Sequence, residues 1–271
     1  MLGRRLVNGV ESTGLAVDDR GLQYGDGLFE TMSAVDGRIR HFGLHLERLA
    51  EGCRRLGIPM PAMDQLEHEC SRVLEGLGTA TVKLIVTRGP GPRGYRPPAE
   101  PSVSRVVMSS AARPRSEHTA LTLRMCETRL GQNPLLAGLK HLNRLEQVMA
   151  CSEWNDPAIA EGLMRSMDGR LVCATAANVF LVRSGCLVTP DIRDCGVAGV
   201  MRRLVLETAA RMDIAIRIED LQPEGLEQAD EVFLTNAVAG IRPVGEVIGN
   251  GRWAVGDVTR ALAAAVAMED A

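Results

Sequence analysis

Aromatic residues are scarce in this sequence: two Trp, two Tyr and four Phe make up 3% of its 271 residues. That is too few for the stacking platforms that grip single-stranded nucleic acid. A formal net charge of -3 gives no electrostatic case for nucleic acid either, although single arginines can still form a local anion site. No apolar run is long enough to span a bilayer. The start, Met1-Leu2-Gly3-Arg4-Arg5-Leu6-Val7-Asn8-Gly9, lacks the apolar core of a signal peptide. The seven cysteines are odd in number and scattered, with no Cys-x-x-Cys pair or Cys/His cluster of the kind that binds zinc. Unpaired thiols in a chain of this length fit a reducing compartment. The expectation is a soluble cytoplasmic protein with no metal site, nucleic-acid partner or membrane segment.

What is present is an ordinary globular composition, 45% hydrophobic and 24% charged, on a chain long enough for a sizeable core. Residues 29–35 read as a strand, Asp36-Gly37 as a hairpin turn and residues 38–41 as the return. Leu44, Leu49, Cys53 and Leu56 form an apolar helical stripe that Gly57-Ile58-Pro59 stops. A second helix is expected over 63–77, and buried strands over 81–87 and 103–108. Between those strands lies a Gly/Pro-rich loop that also carries Arg93 and Tyr95. The polar segment 109–118 reads as a linker between a smaller N-terminal α/β domain (1–108) and a larger C-terminal domain (119–271). In the second half, strands are expected over 120–126, 159–167, 170–176, 179–182, 186–189 and 231–235. Helices are expected over 140–154, 200–212 and from about residue 255.

One residue stands out chemically. Lys140 follows the apolar run Leu135-Leu136-Ala137-Gly138-Leu139 and opens the helical pattern. Apolar surroundings disfavour an ammonium and free the amine for covalent chemistry with carbonyl groups. By itself the pattern more often describes a solvated lysine at a helix start.

Six stretches lift that reading: Asp19-Arg20-Gly21-Leu22-Gln23-Tyr24-Gly25-Asp26-Gly27-Leu28-Phe29-Glu30-Thr31, His45-Leu46-Glu47-Arg48-Leu49, Arg93-Gly94-Tyr95, Lys140-His141-Leu142-Asn143, Ala177-Asn178-Val179-Phe180 and Gly199-Val200-Met201-Arg202. Together, and in this order, they resemble the fold-type IV family of pyridoxal-phosphate enzymes. The resemblance implies the fold class, a two-domain α+β or α/β, aminotransferase class IV-like architecture, and a homodimer. The sequel Asn143-Arg144-Leu145-Glu146-Gln147 is similar to the aminodeoxychorismate lyase branch, which forms 4-aminobenzoate and pyruvate for folate synthesis. D-amino-acid or branched-chain aminotransferase activity is the alternative within the family. A non-catalytic binding protein on the same fold is the alternative outside it.

By the resemblance, Lys140 anchors pyridoxal 5'-phosphate and moves protons, with Thr31 a polar group near the reacting centre. Arg48 meets the cofactor phosphate, as do the backbone N–H groups of Val200 and Met201 at a helix start and the loop Asn236-Ala237. Without the resemblance, Arg48 would read as a surface ion pair with Glu47 or Glu51. The substrate carries two carboxylates, for which Arg93 and Arg242 are the candidate cations, with Tyr24, Tyr95 and Phe29 as walls or hydrogen-bonding groups. Arg242 is equally readable as a solvated loop residue.

The sequence departs from the family at one position. The glutamate usual five residues before the Asn of Asn-Val-Phe, facing the cofactor's pyridine nitrogen, is replaced by Cys173, and no Glu or Asp lies between Asp168 and Asn178. A thiol with an ordinary pKa of roughly 8.5 holds a ring proton poorly.

Overall fold

A computed structural model describes residues 2–12, 14–112 and 120–269. Contacts divide the chain into two compact units. The first comprises Met1–Pro114 together with Leu139–Asn143, and the second Arg115–Gly138 together with Arg144–Ala271. Of the expected linker, residues 109–111 complete a strand and 113–118 lie outside the described residues.

The first unit contains β1 (Leu2–Val7), β2 (Val10–Glu11), α1 (Arg20–Tyr24), β3 (Gly27–Val35), β4 (Arg38–Ile39), α2 (Phe42–Leu56), α3 (Met63–Leu74), β5 (Thr79–Thr87) and β6 (Ser104–Ala111). Its six strands form one antiparallel sheet in the order β2-β1-β6-β5-β3-β4. Asp36 and Gly37 both take positive φ, 48° and 76°, as a tight hairpin matched to strand twist demands. On β3, Leu28, Glu30, Met32 and Ala34 are buried on the face that α2 packs against, while Phe29 and Thr31 alternate to the other face and are half-buried. α2 ends on Gly57, whose left-handed conformation lets its N–H reach the carbonyls of Arg54 and Cys53.

The second unit holds β7 (Leu121–Leu130), α4 (Leu145–Cys151), β8 (Ile159–Ser166), β9 (Leu171–Ala174), β10 (Asn178–Arg183), β11 (Cys186–Pro190), α5 (Val200–Arg211), β12 (Ile216–Glu219), a 3-10 helix (Pro223–Gln228), β13 (Glu231–Asn236), β14 (Gly240–Val247), β15 (Gly251–Arg252) and α6 (Asp257–Met268). Its mixed sheet runs β12-β11-β10-β13-β14-β7-β8-β9, with β15 paired to β14. One face buries an apolar layer around Leu163, Leu181, Val232 and Leu234. On the other face, Phe180 and Phe233 stack at 5.0 Å beneath Met201, Leu204 and Val205 of α5 and Leu262 of α6.

Two expectations change. Lys140 does not open a helix: α4 begins only at Leu145, and residues 139–142 are extended along β3. Phe29 N–H donates to the Lys140 carbonyl at 3.0 Å, and Leu142 N–H donates to the Gly27 carbonyl at 3.0 Å. Backbone pairing with a strand far upstream thus overrides the local helical pattern. The segment around Arg242, read as loop, is the interior strand β14, which pairs with β13 and β7.

Candidate active site

In the first unit, Lys140 lies over the ring of Phe29, its Nζ 4.3 Å from the centroid. Lys83 reaches the same ring at 5.1 Å and is the register partner of Thr31. Phe29, Thr31, Lys83 and Lys140 therefore share one region of a sheet face, with two amines, a hydroxyl and an aromatic wall. Lys83 escaped the sequence reading because it sits mid-strand in Thr81-Val82-Lys83-Leu84, where alternation alone says only "outward".

Arg48 lies on the opposite face of β3. It donates Nε–H to Glu30 Oε1 at 2.8 Å and Nη2–H to Oε2. His45 Nδ1 makes a 2.6 Å hydrogen bond to Oε2 of the same carboxylate. Glu30 and His45 are each 1% exposed. Burial pulls the Glu30 pKa up, but hydrogen bonds from His45 and Arg48 outweigh it and hold the carboxyl below its ordinary range. Burial pushes the His45 pKa down in spite of the Glu30 hydrogen bond, so a neutral imidazole is the donor.

Tyr24 and Tyr95 meet edge to face at 5.5 Å, and the Tyr24 hydroxyl accepts the Gly94 N–H at 3.1 Å. Arg20, 3% exposed, clamps this loop by donating to the carbonyls of Gly94 at 2.9 Å and Tyr95 at 3.0 Å and to Asp26 at 2.8 Å. Arg88 donates to the same Asp26 carboxylate at 2.8 Å. Arg93 and Tyr95 remain exposed beyond the clamp.

In the second unit, Gly199 N-caps α5 with no side-chain cap, so the first-turn N–H groups, those of Val200 and Met201 among them, keep their anion-binding character. A Cβ at Gly199 would sit 2.1 Å from Asn178 Oδ1, so only glycine allows this approach. Asn178 donates to the Val197 carbonyl at 2.9 Å and is the register partner of Thr235. Thr235, 2% exposed, has a hydroxyl oxygen without a hydrogen-bond partner among the described residues. An uncapped helix start, a close glycine and an unsatisfied buried hydroxyl on the α5 face form a donor set that fits a phosphate.

Asn236 ties its loop together: Oδ1 accepts the N–H groups of Val238 at 3.1 Å and Ala239 at 2.7 Å. Asn236 and Arg242 line a shallow surface depression with Glu161, Ala177 and Thr235. Burial raises the Glu161 pKa against hydrogen bonds from Thr175 and Ala176 and the field of Arg242.

Cys173 is 7% exposed, packed with Cys126, Met164, Val172 and Cys195 beside Trp154. Burial pushes its thiol up to about 12, so it is a neutral group. Cys173 pairs with Met164, whereas Glu161 alternates with Leu163 onto the other face. Gly162, on the Met164 side, confirms the alternation, since a Cβ there would press on Cys126 Sγ.

The amino-transferase class IV family model matches residues 27–247, and the chain belongs to that family, whose members depend on pyridoxal phosphate. Among curated proteins it is 36% identical over 243 residues to the aminodeoxychorismate lyase of Vibrio harveyi, covering 88% of this chain and 89% of that one. It is 31% identical over 258 residues to a putative branched-chain-amino-acid aminotransferase of Methanocaldococcus jannaschii, with coverage of 92% and 88%. Among solved structures, 4-amino-4-deoxychorismate lyase from Pseudomonas aeruginosa superposes with a TM-score of 0.90 at 48% identity, covering 95% and 96% of the two chains.

Proposed function

We propose that this protein is a pyridoxal-phosphate-dependent lyase that converts 4-amino-4-deoxychorismate to 4-aminobenzoate and pyruvate, in folate synthesis in the cytoplasm, as a homodimer. The observation that carries the reading is the amine of Lys140 held over Phe29, on the face of β3 to which Thr31 also alternates. The 36% and 48% identities to named lyases support the same branch of the family.

When bound, the cofactor supplies a conjugated ring that takes up the electron pair left beside the substrate amine. Lys140 Nζ would hold the cofactor covalently, and, once the substrate amine has displaced it from that bond, the freed amine takes the proton from the substrate ring carbon that bears the amine. Thr31 Oγ1 or Lys140 Nζ returns a proton to the departing enolpyruvyl group. Lys83 and Arg93 are the cations for the substrate carboxylates in the first unit, and Arg242 in the second. The N–H groups of Val200 and Met201, with Arg48, hold the cofactor phosphate, and Asn236-Ala237 shapes that side. Cys173, as a neutral thiol, leaves the ring a weaker electron acceptor. Elimination tolerates this better than transamination, because its product gains an aromatic ring. The same residue counts against the aminotransferase alternative.

Purified protein given 4-amino-4-deoxychorismate and no amino acceptor should release 4-aminobenzoate and an equal amount of pyruvate, and Lys140→Ala should abolish both. Turnover that requires an amino acceptor would instead establish an aminotransferase. Turnover retained by the Lys140→Ala variant would remove that lysine from its role.

A further inference from the structure

The first unit contains a buried acid that the catalytic scheme leaves unused. Glu30 stands on β3 between Phe29 and Thr31, so its side chain points away from Lys140 and into α2. There it meets His45 and Arg48, three residues apart and so neighbours on one helix face. Its two oxygens take the Nε/Nη2 edge of the Arg48 guanidinium, and His45 holds Oε2 as well.

We propose that Glu30 is the positioning residue for Arg48: by gripping one edge of the planar guanidinium, it fixes the direction in which Arg48 meets the cofactor phosphate. This rests on the reading of Arg48 as a phosphate partner. The guanidinium is rigid and flat, so two parallel hydrogen bonds to one carboxylate set its plane as well as its place. His45 denies the carboxylate any freedom to follow the arginine, and the burial of Glu30 and His45, each 1% exposed, keeps water from replacing the histidine.

A simpler view gives the opposite sign. If only charge mattered, Glu30 would subtract from the attraction between Arg48 and a dianion, and neutralising it would tighten phosphate binding. Positioning requires that neutralising it weaken phosphate binding. A purely structural ion pair would change stability and leave phosphate preference untouched.

The experiment titrates the full chain, freed of cofactor, with pyridoxal 5'-phosphate and separately with pyridoxal. The ratio of the two dissociation constants isolates the phosphate contribution. Glu30→Gln should reduce the preference for the phosphorylated form by roughly tenfold, in line with one charge-assisted hydrogen bond lost from good geometry. Should Glu30→Gln not fold, Glu30→Asp keeps the charge, retracts the grip and should lower the ratio likewise. An unchanged or increased ratio overturns the proposal. Arg48→Met separates the two claims. If it leaves the ratio unaltered, Arg48 is not a phosphate partner. If it lowers the ratio while the Glu30 variants do not, Arg48 keeps its role and Glu30 loses its own.

Discussion

His45 donates to Glu30 while almost wholly excluded from water, and that arrangement has a price in acid. Its pKa lies below the ordinary 6.5, burial being the main cause. As pH falls through 6.5, the unfolded chain takes up a proton at this histidine and the folded chain does not, so stability declines with falling pH. Glu30 adds a second loss further down, once the pH falls through its depressed pKa. Wild-type protein should therefore melt at a lower temperature near pH 5.5 than near pH 7.5, and His45→Gln should narrow that gap. An equal gap in the variant would place the acid sensitivity elsewhere. Cys173 was legible at this scale too, because a missing carboxylate is visible in a string of letters. Its neutrality was not legible, since burial among Met164, Val172 and Cys195 depends on strands and a helix assembled from distant sequence.

The elements most readable in advance were those with strong local chemistry. β3, the Asp36-Gly37 turn and α2 follow from periodicity, positive-φ residues and a Gly57 stop, and they lie within a few residues of expectation. β14 stayed hidden because Gly240, Pro243 and Gly245 dilute its pattern, although β13 and β7 flank it. The Lys140 segment departs from its helical pattern because its partner, β3, is remote in sequence. The loop after β5 shows how an irregular element is still held in one shape. Its Gly94 and Tyr95 carbonyls depend on the buried Arg20, itself oriented by Asp26. Arg20→Met should let the loop open, giving faster cleavage by limited proteolysis within residues 93–98. It should also raise the substrate KM roughly tenfold, more than it lowers kcat, because Arg93 is no longer presented. An unaltered digestion pattern would show that the clamp is dispensable.

For the whole molecule, one surface feature bears on assembly. Leu145, Val148 and Met149 lie on one side of α4 and are 70%, 58% and 56% exposed, an unusual cost for three large apolar side chains in water. Light scattering should return twice the mass of one chain, and Val148→Asp with Met149→Asp should shift the population toward single chains. If the double variant keeps the mass of the wild type, the contact lies on another surface. The segment Leu139–Asn143 carries a different kind of consequence. Five residues from the middle of the chain complete the β3 edge of a unit otherwise built from its start. During synthesis, that first unit can fold only provisionally until the chain through Asn143 has left the ribosome. Nor can any single cut in the chain release both units whole, so fusion and truncation experiments must treat the lysine as belonging to the part of the protein made first.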